Sequence, residues 1–456
     1  MSDQNRDIEE GLRTLIDWAS RVRIDDISPS VLRKMALVIL DNIGATIAAR
    51  EEPEVTKAFL QLDRFSGPRE STVFRERHPR LDRYSAALAN GIAQSWCELD
   101  EGHGLVSCHA GLYTLPALLA DAEARELTVA ELLRAATIGY EVISRFARCW
   151  APKPLAIHPH PAYAAIGAAA ACSAARGLDV EHFVDAVTAA SSLVNAGHWQ
   201  HAIRGALVRN VWAGVGGQTG MRCADWAECG IGGLADGPCL SFTELLGIEP
   251  QPRHLTMDLG RDWAVSQSYQ KIHACCRSTH SAAEAVVSAV AQMPSGKSAE
   301  NIERITLETH QPGLSNPKPA TTLAAKFSLE HVLATSCVHG HASADAFAAT
   351  TLSAAPIVRL RERVELRDFA PLPSAPNNRP ARVRIKLDDG QLLISECLSA
   401  RGGPDQPWGE EVILSKATQL TGKVYPRLVS AMSEVMALNA VRMGERWVDT
   451  VADFTD

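Results

Sequence analysis

Ala86-Ala87-Leu88-Ala89-Asn90-Gly91-Ile92-Ala93-Gln94-Ser95-Trp96 runs without a break into Cys97-Glu98-Leu99-Asp100-Glu101-Gly102-His103-Gly104, and on through Leu105 to His109-Ala110-Gly111. The first eleven residues are alanine-rich and apolar at helical spacing, and Leu112 to Glu123 repeats that pattern. Between these two helical runs lie three carboxylates within four residues and then two histidines. An acidic, glycine-loosened loop joining two buried helices is where a helical protein would keep its chemistry. The bland alternative is a solvated acidic turn or a helix cap made by Glu98, Asp100 and Glu101.

Outward from this stretch the pattern stays helical. Ile8 to Arg21 and Val31 to Arg50 read as amphipathic helices, the second opened by Ser28-Pro29. Arg69 to Pro79 reads as a polar connection. Helical segments then follow at Tyr84–Trp96, Leu112–Arg125, Val129–Cys149, Pro161–Arg176, Val180–Val194 and Trp212–Cys229. Alanine at this density lets helices approach closely. No strand–helix alternation and no GxGxxG motif appear, which argues against a Rossmann domain. The character changes near Asp258. Ser266 to Cys276 is strand-capable, Thr279 to Gln292 is helical, Ile302 to Glu308 alternates like a strand, and Phe327 to Gly340 is helical. Ala381–Leu387, the turn Asp388-Asp389-Gly390 and Gln391–Leu398 form a hairpin with favourable turn chemistry. Helices return after Arg401-Gly402-Gly403-Pro404.

The chain has 456 residues, 46% hydrophobic and 21% charged, with no apolar run long enough to span a membrane. A net charge of −8 argues against nucleic acid or an anionic membrane as partner. The polar N-terminus carries no signal-peptide core, so a cytoplasmic protein is expected. Eleven cysteines, with no CxxC pair, read as free thiols, and no structural zinc or other metal is expected.

Further polar residues gather at helix starts and in loops. His158-Pro159-His160-Pro161 opens a small-residue helix, whose free N–H groups favour anions; it is also readable as only a rigid helix start. Arg209-Asn210 precedes another helix, and Lys271, Cys276, Arg277 and His280 fall within ten residues. With His103 and His109 these could converge on one acid–base pocket. Taken singly, a loop histidine is more often a structural hydrogen-bonder than a catalyst, and Arg209 or Lys271 is most often a surface charge.

Taken in order, these blocks resemble the MmgE/PrpD family, which includes 2-methylcitrate dehydratase, cis-aconitate decarboxylase and iminodisuccinate epimerase. The resemblance is carried by Leu40-Asp41-Asn42-Ile43-Gly44-Ala45, Ala89-Asn90-Gly91, Glu98 to His103 with His109-Ala110-Gly111, and Gly139-Tyr140-Glu141-Val142 with Arg145. It continues through His158 with Gly167-Ala168-Ala169-Ala170, Arg209, Lys271 to His280, Ala325-Lys326-Phe327-Ser328 and Gly402-Gly403-Pro404. It implies a mainly α fold: a large all-helical domain, residues 1–265 completed by 402–456, plus a smaller α+β lid domain over 266–401. It also implies a homodimer that needs no cofactor or metal and acts on a small polycarboxylate held between the two units. Carried over residue by residue, His109, His158, Glu98, Asp100 and Glu101 are the expected acid–base residues. His103, Arg209, Lys271, Cys276, Arg277 and His280 are the expected substrate-binding residues.

The sequence departs from the family pattern in four places. Ala110 follows His109 where many members have Pro, and Arg209 stands where Lys is usual. Gly102-His103 replaces the usual Thr or Ser after the acidic block. Cys276 occupies a position where the decarboxylase branch has His, which argues against decarboxylation of cis-aconitate. The expected reaction is therefore a hydro-lyase elimination of water from a hydroxy di- or tricarboxylate. Epimerisation of a substituted succinate, a non-catalytic carboxylate-binding protein and a metal-dependent hydrolase are the alternatives.

Overall fold

The computed structural model describes residues 3–152 and 156–455. The described residues are mainly helical, with one four-stranded sheet and two short two-stranded pairs, in keeping with the mainly α class its periodicity predicts. The helices α1 (Asp3–Arg21), α2 (Pro29–Ala48) and α3 (Pro53–Phe65) lead into α4 (Arg83–Trp96), α5 (Ala110–Ala124), α6 (Val129–Cys149), α7 (Pro159–Arg176) and α8 (Val180–Ser192). A short α9 (Gln200–Ile203) precedes α10 (Trp212–Glu228), and α11 (Arg253–Thr256) follows it. Helix α3 has no counterpart among the sequence expectations. It is a surface helix with only Val55 buried, so its apolar stripe is thin. The connection expected over Arg69–Pro79 is more ordered than its polarity suggests: β1 (Ser71–Thr72) pairs antiparallel with β2 (Arg80–Leu81).

One continuous apolar core joins α1, α2 and α4–α8 to α10 and to residues far along the chain, among them Ile413, Ala417, Leu428, Met432 and Phe454. Close helix approach is set by small residues. A Cβ on Gly91 of α4 would lie 2.5 Å from the Cα of Gly214 in α10, so these helices touch backbone to backbone. Their contact brings the end of α4, where the acidic loop begins, against the segment that carries Arg209.

A second core gathers residues 282–393. Here α12 (His280–Val290), α13 (Thr322–Lys326), α14 (Leu329–His339) and α15 (Ala355–Arg361) accompany a four-stranded sheet. Its strands are β5 (Ile302–Thr309), β6 (Val364–Asp368), β7 (Ala381–Leu387) and β8 (Leu392–Cys397), in the order β6-β5-β7-β8. The β7–β8 hairpin turns at Gly390 with φ +88°, the left-handed backbone an Asp-Gly turn supplies. The parallel β5–β6 pairing was not legible in the sequence. The strand-capable stretch before this unit contracts to β4 (Ser268–Tyr269), which pairs with β3 (Gly102–His103) and so stitches the acidic loop to the segment bearing Lys271. Helices α16 (Glu410–Thr421), α17 (Leu428–Met436), α18 (Ala440–Gly444) and α19 (Trp447–Thr455) return to the first core, with α16 and α17 packed on α2.

Candidate active site

Glu98 leaves α4 with φ +53°, a left-handed backbone unusual for a residue with a side chain. Its buried carboxylate faces two cations. One oxygen pairs with Arg209 Nη1, and the other lies 3.5 Å from Lys271 Nζ. Asp100 Oδ1 is 3.6 Å from the same ammonium, and its Oδ2 is 2.5 Å from Nδ1 of His109. Residues spread over 174 positions of sequence thus meet in one charged cluster.

The electrostatics follow from burial and pairing. Burial disfavours the Asp100 anion, but Lys271, His109 and Arg209 outweigh it and hold the carboxyl well below the usual range. Lys271 is likewise held protonated, because Asp100 and Glu98 overcome the cost of its burial. An ionised Asp100 accepts from Nδ1–H of His109, which fixes the imidazole tautomer and leaves Nε2 with the lone pair. His109 stands at the start of α5 and is the partly exposed member of the pair.

His158 is engaged at both ring nitrogens. Its Nδ1 faces the backbone N–H of His160 at 3.2 Å, as the cap of α7, and its Nε2 faces Arg209 Nε at 3.2 Å. A neutral imidazole has one lone pair, so it can serve only one of these donors and has none to spare for a substrate proton. Burial, helped by Arg209, pushes its pKa well below the ordinary value and keeps it neutral. Trp199 stacks on its ring at 4.8 Å. Arg209 also donates through Nη1 to Asn210 Oδ1 at 3.2 Å, and its guanidinium lies 5.6 Å from the Phe327 ring centroid. Among the described residues no hydrogen bond engages Arg209 Nη2, and Lys271 Nζ pairs with Glu98 and Asp100, which leaves each cation a donor suited to a bound carboxylate.

The remaining expected residues divide. Glu101 is at the cluster's edge in a structural setting. Its Oε1 accepts from the N–H of Gly111 at 2.5 Å and its Oε2 from the Tyr140 hydroxyl at 2.9 Å. Burial raises its pKa to about 8. Cys276 sits beside Glu98 as a buried thiol among Phe327, Leu323 and Ala202, its pKa raised by burial first and Glu98 second. His103 Nδ1 accepts from the N–H of Leu105 at 3.1 Å, and burial pushes its pKa down to about 3; it organises its own loop. Arg277 donates to the carbonyls of Ala400 and Arg401 at 2.9 and 3.0 Å and covers the Tyr269 ring. His280 lies 3.1 Å through Nε2 from the Cys275 carbonyl, to which it donates. These last three hold the walls of the site and not its charged centre.

Three residues at the site lay outside the sequence expectations. His160 touches the rings of both His109 and His158, Tyr113 hydrogen-bonds His160, and Tyr140 holds Glu101. For His160 the signal was present in the His-Pro-His-Pro run; the tyrosines look like core aromatics at helical spacing. A cavity of about 1100 Å³ is lined in part by Leu99 and Ile272, chain neighbours of Glu98, Asp100 and Lys271. No group of His, Cys, Asp and Glu with metal-holding geometry occurs among the described residues.

All eleven cysteines are free, nine of them buried, with Cys229 exposed and Cys397 in between. Among the described residues no helix is long and apolar enough to cross a membrane.

Comparison with known proteins identifies the family. The MmgE/PrpD N-terminal domain model matches residues 13–238, and the MmgE/PrpD C-terminal domain model matches residues 273–440. A cis-aconitate decarboxylase-like protein, oryM of Aspergillus oryzae, is 24% identical over 438 residues, 90% of each chain. A cis-aconitate decarboxylase of Aspergillus terreus is 24% identical over 440 residues, covering 89% of this chain and 88% of its own.

Proposed function

The chain belongs to the MmgE/PrpD family, and from that premise we propose that it is a cofactor-independent hydro-lyase acting on a hydroxy di- or tricarboxylate. The observation that carries this reading is the Asp100–His109 pair set against Arg209 and Lys271. A proton next to a carboxylate is weakly acidic, because removing it adds charge to an anion. A site for that chemistry needs a base with a free lone pair and cations where charge develops. His109 Nε2 is the base. Asp100 holds its tautomer and steadies the imidazolium that forms. Arg209 Nη2 and Lys271 bind the carboxylate, sharing their charge with Glu98 and Asp100. The C–H electrons become the new C=C bond as the C–O bond breaks. The hydroxyl leaves as water with the proton His109 carries. His158 orients Arg209, and Glu101 anchors the loop.

The relatives are named for decarboxylation of cis-aconitate, which makes decarboxylation the second reading, since protonation of a carbanion after loss of CO₂ uses the same acid–base pair. Cys276, a buried thiol beside Glu98, stands where the decarboxylase branch has His, which favours elimination over decarboxylation. Epimerisation would use the same abstraction and return the proton to the opposite face.

Proton NMR in D₂O with 2-methylcitrate, citrate, malate, iminodisuccinate and cis-aconitate separates these readings. A new olefin supports the hydro-lyase. Loss of CO₂ moves the assignment to a decarboxylase, and α-deuteration without an olefin to an epimerase. His109→Gln is expected to lower kcat by about 10²–10⁴-fold; turnover within a few-fold of wild type removes His109 from the mechanism.

A further inference from the structure

His160 has no role in the scheme above, yet its ring is in contact with those of both His109 and His158. Its ring centroid is 4.9 Å from that of His109, edge-on, and 4.4 Å from that of His158. The side chain is fully buried, with Arg209 and Lys271 the cations that bear on it. Nδ1 lies 2.9 Å from the Tyr113 hydroxyl, whereas Nε2 is buried with no hydrogen-bond partner. Buried polar atoms of this kind are rare enough to need a reason.

The reason follows from the tautomer. If His160 donated from Nδ1–H to Tyr113, both the phenolic proton and the Nε2 lone pair would be left without partners. If Tyr113 donates to Nδ1, only one group is left, the Nε2–H. The second arrangement strands fewer buried groups, and among the described residues the completely buried Tyr113 hydroxyl has no side-chain partner other than His160. The unused donor then belongs to a ring in contact with the base.

We infer that His160 is a substrate-contacting residue, a neutral imidazole whose Nε2–H, set by Tyr113, donates to a carboxylate oxygen of the bound acid and follows it as charge grows there. Burial beside Arg209 keeps the ring neutral, so it acts as a hydrogen-bond donor and not as a second proton source. A donor that strengthens as charge develops stabilises the transition state more than the ground state. This inference rests on the hydro-lyase reading only in that the substrate carries a carboxylate next to the abstracted proton.

The test uses the full chain with ¹⁵N-labelled histidine, and tricarballylate, a saturated tricarboxylate with nothing to eliminate, as probe. The expected result is a His160 Nε2–H resonance, assigned by its loss in His160→Gln, that moves when tricarballylate is added. Kinetically, His160→Leu is expected to lose about 10²-fold in kcat, the cost of removing one oxyanion donor. KM should change by less than about 5-fold, as for an interaction made mainly in the transition state. His160→Gln, which keeps an amide N–H, is expected to recover about 10-fold of the loss, consistent with a donor role. An unprotonated Nε2, a resonance unmoved by tricarballylate, or no binding of tricarballylate to the folded protein each overturns the inference. So does His160→Leu with kcat within about 3-fold of wild type. Turnover that survives in His109→Gln would sink the acid–base reading instead, and the NMR result would still judge His160 by itself.

Discussion

A single carboxylate can be catalytic, structural or merely solvated, and residues 98–101 contain more than one of these roles. Asp100 and Glu101 are neighbours in sequence, both buried, and are pushed in opposite directions. Asp100 meets Lys271 and His109 and is held as the anion; Glu101 meets only neutral donors, and burial raises it to about 8. The sequence marked both as acid–base candidates because composition does not say which cation each will face. A consequence follows for stability. The folded-state pKa of Glu101 lies above its ordinary 4.5, so the folded protein holds that proton more tightly than the unfolded chain. Stability from this group is fully present below pH 4.5 and is lost as pH rises towards about 8. Thermal unfolding of Glu101→Gln is expected to show a shallower decline across that window than wild type; an identical slope would mean the carboxyl is ionised throughout.

Elements matter here through their ends and their closest contacts. Helices α4 and α10 touch at Gly91 and Gly214, and this contact fixes where Glu98 meets Arg209. Gly91→Ala puts a Cβ into the backbone of α10, and overpacking of this kind costs about 1–3 kcal/mol. Chemical denaturation is expected to show that loss together with lowered kcat, since the displaced α4 carries the acidic loop. Helix α16 makes a second such contact. Lys416 donates to Asp41 of α2 at 2.7 Å and to the Leu99 carbonyl at 2.9 Å, bracing the loop between Glu98 and Asp100. Lys416→Met leaves Asp41 buried and unpaired, with an expected destabilisation of about 3–5 kcal/mol. Asp41→Asn/Lys416→Met, which removes both charges, is expected to regain most of it in the same denaturation experiment.

Among the described residues two large apolar cores are accompanied by two smaller clusters, one of which packs Trp96, Cys97 and Leu99 with Ala274 and Cys275, and the charged cluster is drawn from segments around them. Arg277 is one of the ties between the segments. It spans from the residues just after Lys271 to the carbonyls of Ala400 and Arg401, where the chain leaves the sheet-bearing unit. Arg277→Met is expected to speed hydrogen exchange over residues 399–406 and to raise KM more than it lowers kcat. Unchanged exchange there would show that other contacts suffice.

Helical class was legible from sequence because burial of one helix face imposes a 3.6-residue period that needs no knowledge of partners. Val129–Cys149 was readable to the residue, and the β7–β8 hairpin was readable because Asp-Gly carries its own turn chemistry. The acidic loop and the two histidine runs were legible as chemistry but not as geometry. Distances between segments do not follow from local pattern, so only the folded chain separates His109, with an open lone pair, from His158, with both nitrogens taken. It alone shows His160 as a third imidazole and not just part of a helix start. Local periodicity depends on which neighbours are apolar, whereas the role of a titratable group depends on which charges face it across the fold.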